Sequence, residues 1–242
     1  MARLTRPALI TALAGSLLAA LAAGPGPASA QQGESVRLQG QRDRDPDRYL
    51  RANPSKVIAT ELAFARTAQE KGQWTAFNQF ATDSAVMFVP QPVNAKEWLK
   101  KQTNPAQAVR WQPHQVWSSC DGSLAVTKGA WQRPDGSVGY FTTVWERQRN
   151  HEYKWVMDQG DTLQQPLQAP DLIGASSADC DRPGPFAFAP AEGAVTRDGR
   201  SKDHSLVWSV AVDPKGARTV SVRMWQGGEM KEVFAAQVAA AS

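Results

Sequence analysis

Cysteine is scarce in this chain of 242 residues, with only Cys120 and Cys180 present. The three histidines, His114, His151 and His204, are far apart, and no His/Cys/Asp/Glu cluster has ligand spacing, so no metal centre and no cofactor are expected. A glycine-rich phosphate loop and a G-x-S-x-G elbow are both absent, which removes the commonest nucleotide and serine-hydrolase signatures. Charge of one sign is lacking too. Basic residues number 27 against 23 acidic ones, the two kinds are interspersed, and there is no basic stripe to track a nucleic-acid backbone. Beyond the first thirty residues no apolar run approaches the length of a membrane span.

The beginning of the chain reads as an export signal. Arg3 and Arg6 form a positive n-region, Ala8 to Ala23 is apolar or small, Gly24-Pro25-Gly26-Pro27 breaks that helix, and Ala28-Ser29-Ala30 is an A-x-A cleavage site. No cysteine follows the apolar run, which argues against lipoprotein anchoring, and Arg3 and Arg6 are not a twin-arginine pair. A mature protein starting at Gln31, periplasmic or secreted and free of the membrane after cleavage, is expected. Its charges would nearly balance, with 25 basic and 23 acidic residues. In an oxidising compartment Cys120 and Cys180 default to a disulfide, with two buried thiols as the alternative. Such a bridge closes a loop of roughly 60 residues and contributes on the order of 4 kcal/mol.

Residues 31–52 are polar and mix charges without apolar periodicity, as a flexible leader does. Ser55 is the expected N-cap of a helix that carries Val57, Ile58, Leu62 and Ala65 at helical spacing and stops at Gly72. A short helix covers Trp74–Phe80, a strand covers Ser84–Val89, and Asn94 opens a third helix with Glu97 at N3. From Val109 the apolar period becomes two. Strands are predicted over Val109–Ser119, Leu124–Arg133, Ser137–Arg147 and Tyr153–Asp161, with Asp121-Gly122 and Asp135-Gly136 as turn signals. Residues 163–190, rich in Pro, Gly, Ala and Ser, read as an irregular connector. Residues 191–242 then form a small β extension with strands at His204–Val212, Ala217–Trp225 and Glu229–Phe234. An isolated hairpin is marginal in water, so the extension is expected to pack on the main domain.

This order of elements, together with Leu62-Ala63-Phe64-Ala65, DSAVMFVP at Asp83–Pro90, VNAKEWL at Val93–Leu99, GAW at Gly129–Trp131, GYFTTVW at Gly139–Trp145 and KWVMDQG at Lys154–Gly160, resembles the nuclear transport factor 2-like superfamily. The likeness is to its SnoaL-like, polyketide cyclase-like branch and spans about residues 55–161. It implies an α+β cone: three N-terminal helices against a curved antiparallel sheet around an apolar lumen, here with the C-terminal β extension added. The superfamily holds isomerases, cyclases, dehydratases, epoxide hydrolases and pure binding modules, so the likeness does not select an activity. Isomerases of this layout carry a carboxylate just before the proline that ends the first strand. Here that position is Val89, after Met87 and Phe88.

A two-residue turn at Asp135-Gly136 would set Trp131 opposite Tyr140 and Gly129 opposite Thr142. A turn centred on Asn150-His151 would set Thr142 against Gln159 and Tyr140 against Asp161. One face then carries Trp131, Tyr140, Thr142, Gln159 and Asp161, and the other carries Phe141, Thr143, Trp145 and Asp158, with Asp158 facing Lys128 as a charge pair. A slip of one residue would exchange these faces. The expected lumen wall is Met87, Val89, Trp111, Trp131, Tyr140, Thr142 and Gln159, and the candidate acid–base groups are Asp161, Tyr140 and His114. The leading expectation is an exported protein that binds a small apolar or aromatic molecule in the lumen. The alternatives are an acid–base enzyme of the cyclase, isomerase or dehydratase type, and a dimerising or partner-binding module that uses the outer sheet face.

Overall fold

A computed structural model describes residues 51–189 and 192–240. The expected signal segment and all but the last two residues of the expected leader lie outside them. Helix α1 (Pro54–Lys71) starts two residues earlier than Ser55 predicts. Asn53 is the N-cap, its side chain accepting from the Lys56 N–H at 3.0 Å, and Pro54 takes the first helical turn, where a missing N–H costs nothing. Gly72, at φ +102°, ends the helix and leads into α2 (Gln73–Phe80). Asn104 caps α2 from a distant loop, its Oδ1 accepting from the N–H groups of Trp74 (2.8 Å) and Thr75 (3.2 Å). Strand β1 (Ala81–Phe88) pairs with the short β2 (Pro92–Asn94), and α3 (Ala95–Leu99) follows, with Asn94 accepting from Glu97 N–H as the capping pattern predicts.

The meander follows: β3 (Arg110–Ser118), β4 (Leu124–Gln132), β5 (Val138–Arg147) and β6 (Tyr153–Leu163). The connector contains a strand that its sequence conceals, β7 (Gly174–Ser177). Gly-Ala-Ser-Ser has no apolar alternation, and the strand exists because it pairs with β3. The main sheet runs β2-β1-β6-β5-β4-β3-β7. It is mixed rather than antiparallel throughout, because β1 pairs parallel with β6 and β7 parallel with β3. The last four strands, β8 (Val195–Arg200), β9 (Leu206–Val212), β10 (Arg218–Gln226) and β11 (Glu229–Val238), form a second, antiparallel sheet.

Both faces of the main sheet are covered, giving two cores. On one side α1, α2 and α3 bury Val57, Phe64, Ala76 and Leu99 against Val116, Trp145 and Trp155. On the other, Leu206, Val210, Val220 and Val222 of the second sheet pack against Trp117, Val126, Val144 and Met157. Alternation along each strand therefore assigns every residue to a helix side or a sheet side. A disulfide joins Cys120 and Cys180, tying the end of β3 to the segment that follows β7.

The β4–β5 register differs from the expected one. Arg133 N–H bonds Ser137 O and Gly136 N–H bonds Arg133 O, so three residues, Pro134 to Gly136, make the turn, with Gly136 at φ +87°. Trp131 consequently faces Gly139 rather than Tyr140, and Gly129 faces Phe141 rather than Thr142. Across β5–β6 the pairs Thr142–Gln159 and Tyr140–Asp161 are as expected. The one-residue shift leaves Trp131 on the helix side and sends Tyr140 and Thr142 to the other.

Candidate functional site

The lumen is a cavity of about 430 Å³ between α1, α2 and the helix side of the main sheet. Phe64 of α1 and Trp74 and Phe77 of α2 form its roof. Met87 and Val89 from the first strand and its exit, and Trp111 of β3, supply further wall. Phe64 is the hub of these rings, with centroids 4.8 Å from Trp111 and 4.9 Å from Phe77 in edge-on contacts.

Trp131 and Phe141 complete the aromatic lining. Two glycines make room for Trp131. A Cβ at Gly139 would run into its indole, and Gly160 lies under its Nε1, so the ring lies flat across β5 and β6 and donates to Tyr140 O at 2.9 Å. Arg133 stands at the same part of the wall, its guanidinium 4.4 Å from the Trp131 ring centre. Gly129 leaves no space for a ligand. The Gln112 carbonyl and the Phe141 ring occupy the place a side chain would take, beside a bulge in β3.

One acid in the lumen wall, Asp158, lies on the helix side of the sheet. Its Oδ2 accepts from Thr143 Oγ1 at 2.7 Å, and Asp158 and Thr143 both line the cavity. Loss of hydration pushes the Asp158 carboxyl up to about 7. The hydrogen bond from Thr143 opposes that rise, the neighbouring Glu61 adds to it, and Arg218 across the sheet opposes it. The expected charge pair of Asp158 with Lys128 does not form. Lys128 faces Thr142 on the other side of the sheet and lies over the Phe234 ring.

Behind the lumen sits a second carboxylate that the sequence reading did not single out. Glu61 of α1 is fully buried and accepts from Trp111 Nε1 (2.9 Å), Thr127 Oγ1 (2.6 Å) and Trp145 Nε1 (3.1 Å). Burial raises its pKa, against the lowering effect of those three donors. The signal available in the sequence was a glutamate on the apolar stripe Val57–Glu61–Phe64–Ala68 of α1.

Met87, Val89, Trp111 and Trp131, four of the expected wall residues, border the cavity. Tyr140 and Thr142 do not, because the register turns them toward the second sheet. Gln159 and Asp161 border it from β6, but Gln159 Oε1 accepts from Arg218 Nε, on the second-sheet side. The candidates Asp161 and Tyr140 are adjacent in register and both lie near Arg218, with Asp161 at the cavity border and Tyr140 outside it. Burial, with Asp161 adding, pushes the Tyr140 phenol up, which weakens it as an acid. His114 occupies the β3 bulge between Pro113 and Gln115, outside the cavity, where partial burial and Lys128 lower its pKa. Among the described residues no group of three or more His, Cys, Asp or Glu could hold a metal ion, and no helix is long and apolar enough to cross a membrane.

No family model and no curated protein matches the chain. Solved structures do. A protein of Parabacteroides distasonis ATCC 8503 described as a candidate ketosteroid isomerase is 13% identical, with 47% of this chain and 96% of that one covered and a TM-score of 0.38. Nuclear transport factor 2 of Cryptosporidium parvum is 13% identical over 47% of this chain and 99% of its own, with a TM-score of 0.35. A protein of Catenulispora acidiphila, solved in complex with S-DNPA, is 13% identical over 45% and 92%, also at 0.35. Each of these likenesses covers about half of this chain.

Proposed function

We propose that this is an exported binding protein whose lumen holds a small molecule with an apolar or aromatic body. The observation that carries the reading is the cavity of about 430 Å³, walled largely by aromatic rings, with the carboxyl of Asp158 in its wall. Few convergent polar groups in a mainly apolar concavity are what a binding site for an organic ligand requires. The export signal read at Met1–Ala30 supports secretion, and an intact mass beginning at Gln31 is the expected result for the mature protein. Filling the lumen tests the binding reading. Met87→Trp places an indole in the cavity and is expected to abolish the binding of small aromatic compounds, followed by ligand-observed NMR, with the melting transition retained. Compounds that bind the filled variant as well as the parent would overturn it.

A second reading, an acid–base enzyme, is favoured by one observation. Asp158 titrates near neutrality inside the lumen, where a single carboxyl can both accept and return a proton. Asp158 replaces Asp161, Tyr140 and His114 as the acid–base candidate on this reading. For any substrate found, Asp158→Asn is expected to remove turnover while His114→Ala retains it. The reverse pattern refutes the assignment.

A further inference from the structure

We propose that the lumen selects an organic cation, an ammonium group carried on an apolar body, with Asp158 as its counter-ion and the surrounding rings as its cage. The proposal rests on the binding reading above and narrows the class of ligand.

The first support is what Asp158 lacks. Thr143 supplies its hydrogen bond, to Oδ2, and among the described residues no lysine or arginine forms an ion pair with it. A carboxylate withdrawn from water without a cationic partner is costly, and a bound cation removes that cost. Glu61 behind the lumen is itself acidic and is held by Trp111, Thr127 and Trp145. Arg218 lies across the sheet and is engaged with Gln159 Oε1, Gly160 O and the Phe88 ring. Arg133 is held over the Trp131 ring, and Asp161, at the cavity border, is acidic. Among the described residues Asp158 thus has no lysine or arginine bonded to it, and Arg218 acts on it only from across the sheet.

The second support is the wall. Trp74, Phe77, Trp111, Trp131 and Phe141 present π systems to one cavity, and such faces attract cations most strongly where water is excluded. The Arg133–Trp131 contact shows one of these rings already engaging a cation on this molecule. A neutral aromatic ligand would satisfy the rings alone, and an anionic one would oppose Asp158. An ammonium uses both.

The test compares three probes of similar shape: phenethyltrimethylammonium, its neutral carbon isostere (3,3-dimethylbutyl)benzene, and 3-phenylpropanoate. Binding is followed by tryptophan fluorescence at pH 8 and pH 5.5. At pH 8 the cation is expected to bind about tenfold or more tighter than the isostere. Its affinity should fall by about tenfold or more at pH 5.5, because binding to the ionised carboxylate then has to displace a proton. In Asp158→Asn the cation-to-isostere ratio should collapse toward one. An isostere or carboxylate that binds as well as the cation, or a preference that survives Asp158→Asn, overturns the proposal and leaves the binding reading standing. If none of the probes binds and no aromatic compound binds in the lumen-filling experiment, both fall together.

Discussion

Two carboxyl groups, Glu61 fully buried and Asp158 half-buried in the cavity wall, carry most of the chemistry of this molecule, and they differ in what surrounds them. Asp158 has one hydrogen bond and faces a cavity, whereas Glu61 has three donors and faces none. Burial pushes the Asp158 carboxyl up to about 7, well above the usual carboxylate range, so the folded state holds a proton that the unfolded state releases at lower pH. The stability linked to that proton is fully present below about pH 4 and is lost as the pH rises through 7, at up to about 1.4 kcal/mol per pH unit. Asp158→Asn removes the titration. The variant is expected to be more stable than the parent at pH 8 by a few kcal/mol at most, with the gap closing toward pH 4. Urea midpoints across that range check it, and parallel pH profiles would contradict it. For Glu61 the expectation is reversed in sign. Glu61→Gln places an NH₂ among three donors and leaves at least one of them unmatched, costing on the order of 2 kcal/mol at neutral pH. A chemical denaturation curve shows this, and an unshifted midpoint would deny the hydrogen-bonded role.

Among the elements, the β4–β5 hairpin decides which residues meet the lumen. Its strands and turn residues are legible from alternation and from Asp135-Gly136, but the length of the turn is not. A two-residue and a three-residue turn both place Gly in a left-handed conformation, and they differ by one register step. That step explains why Tyr140 and Thr142 read as pocket wall and Asp158 as the partner of Lys128. Trp131 stays in the wall because its own strand positions it, while Gly139 and Gly160, on the neighbouring strands, receive its ring. Two glycine substitutions separate backbone from space. At Gly136 no atom lies within 4 Å of an added Cβ, so Gly136→Ala costs only the φ of +87°, about 1 kcal/mol. At Gly139 the added carbon meets Trp131 and the Asp161 carbonyl, so Gly139→Ala is expected to cost more and to weaken lumen binding as the indole shifts. Equal destabilisation of the two variants, with binding intact in both, would show that Trp131 does not depend on this gap.

At the scale of the whole molecule, the helices-then-meander order was readable because each element carries its own period, whereas β7 and β8 were not, since Gly174–Ser177 and Val195–Arg200 have no apolar alternation and exist through pairing. Glu61 escaped for a related reason. A helix stripe shows that a position is buried, but its three donors come from three different strands. The second sheet makes the outer face of the main sheet an internal one, so that face is occupied by the chain itself rather than left for a partner. The same sheet also reaches the lumen wall electrically through Arg218, which bonds Gln159 and Gly160 from behind and stabilises the ionised form of Asp158. Replacing it with methionine keeps much of the side-chain bulk over Phe88 and removes the charge. Arg218→Met is therefore expected to move the titration of Asp158 further upward, measured by carboxyl carbon NMR or by the pH at which the stability profile bends. A general loosening of the fold would lower stability at every pH without displacing that midpoint. A displaced midpoint therefore identifies the second sheet as part of the electrostatics of the lumen, and an unmoved one would reduce Arg218 to a packing residue.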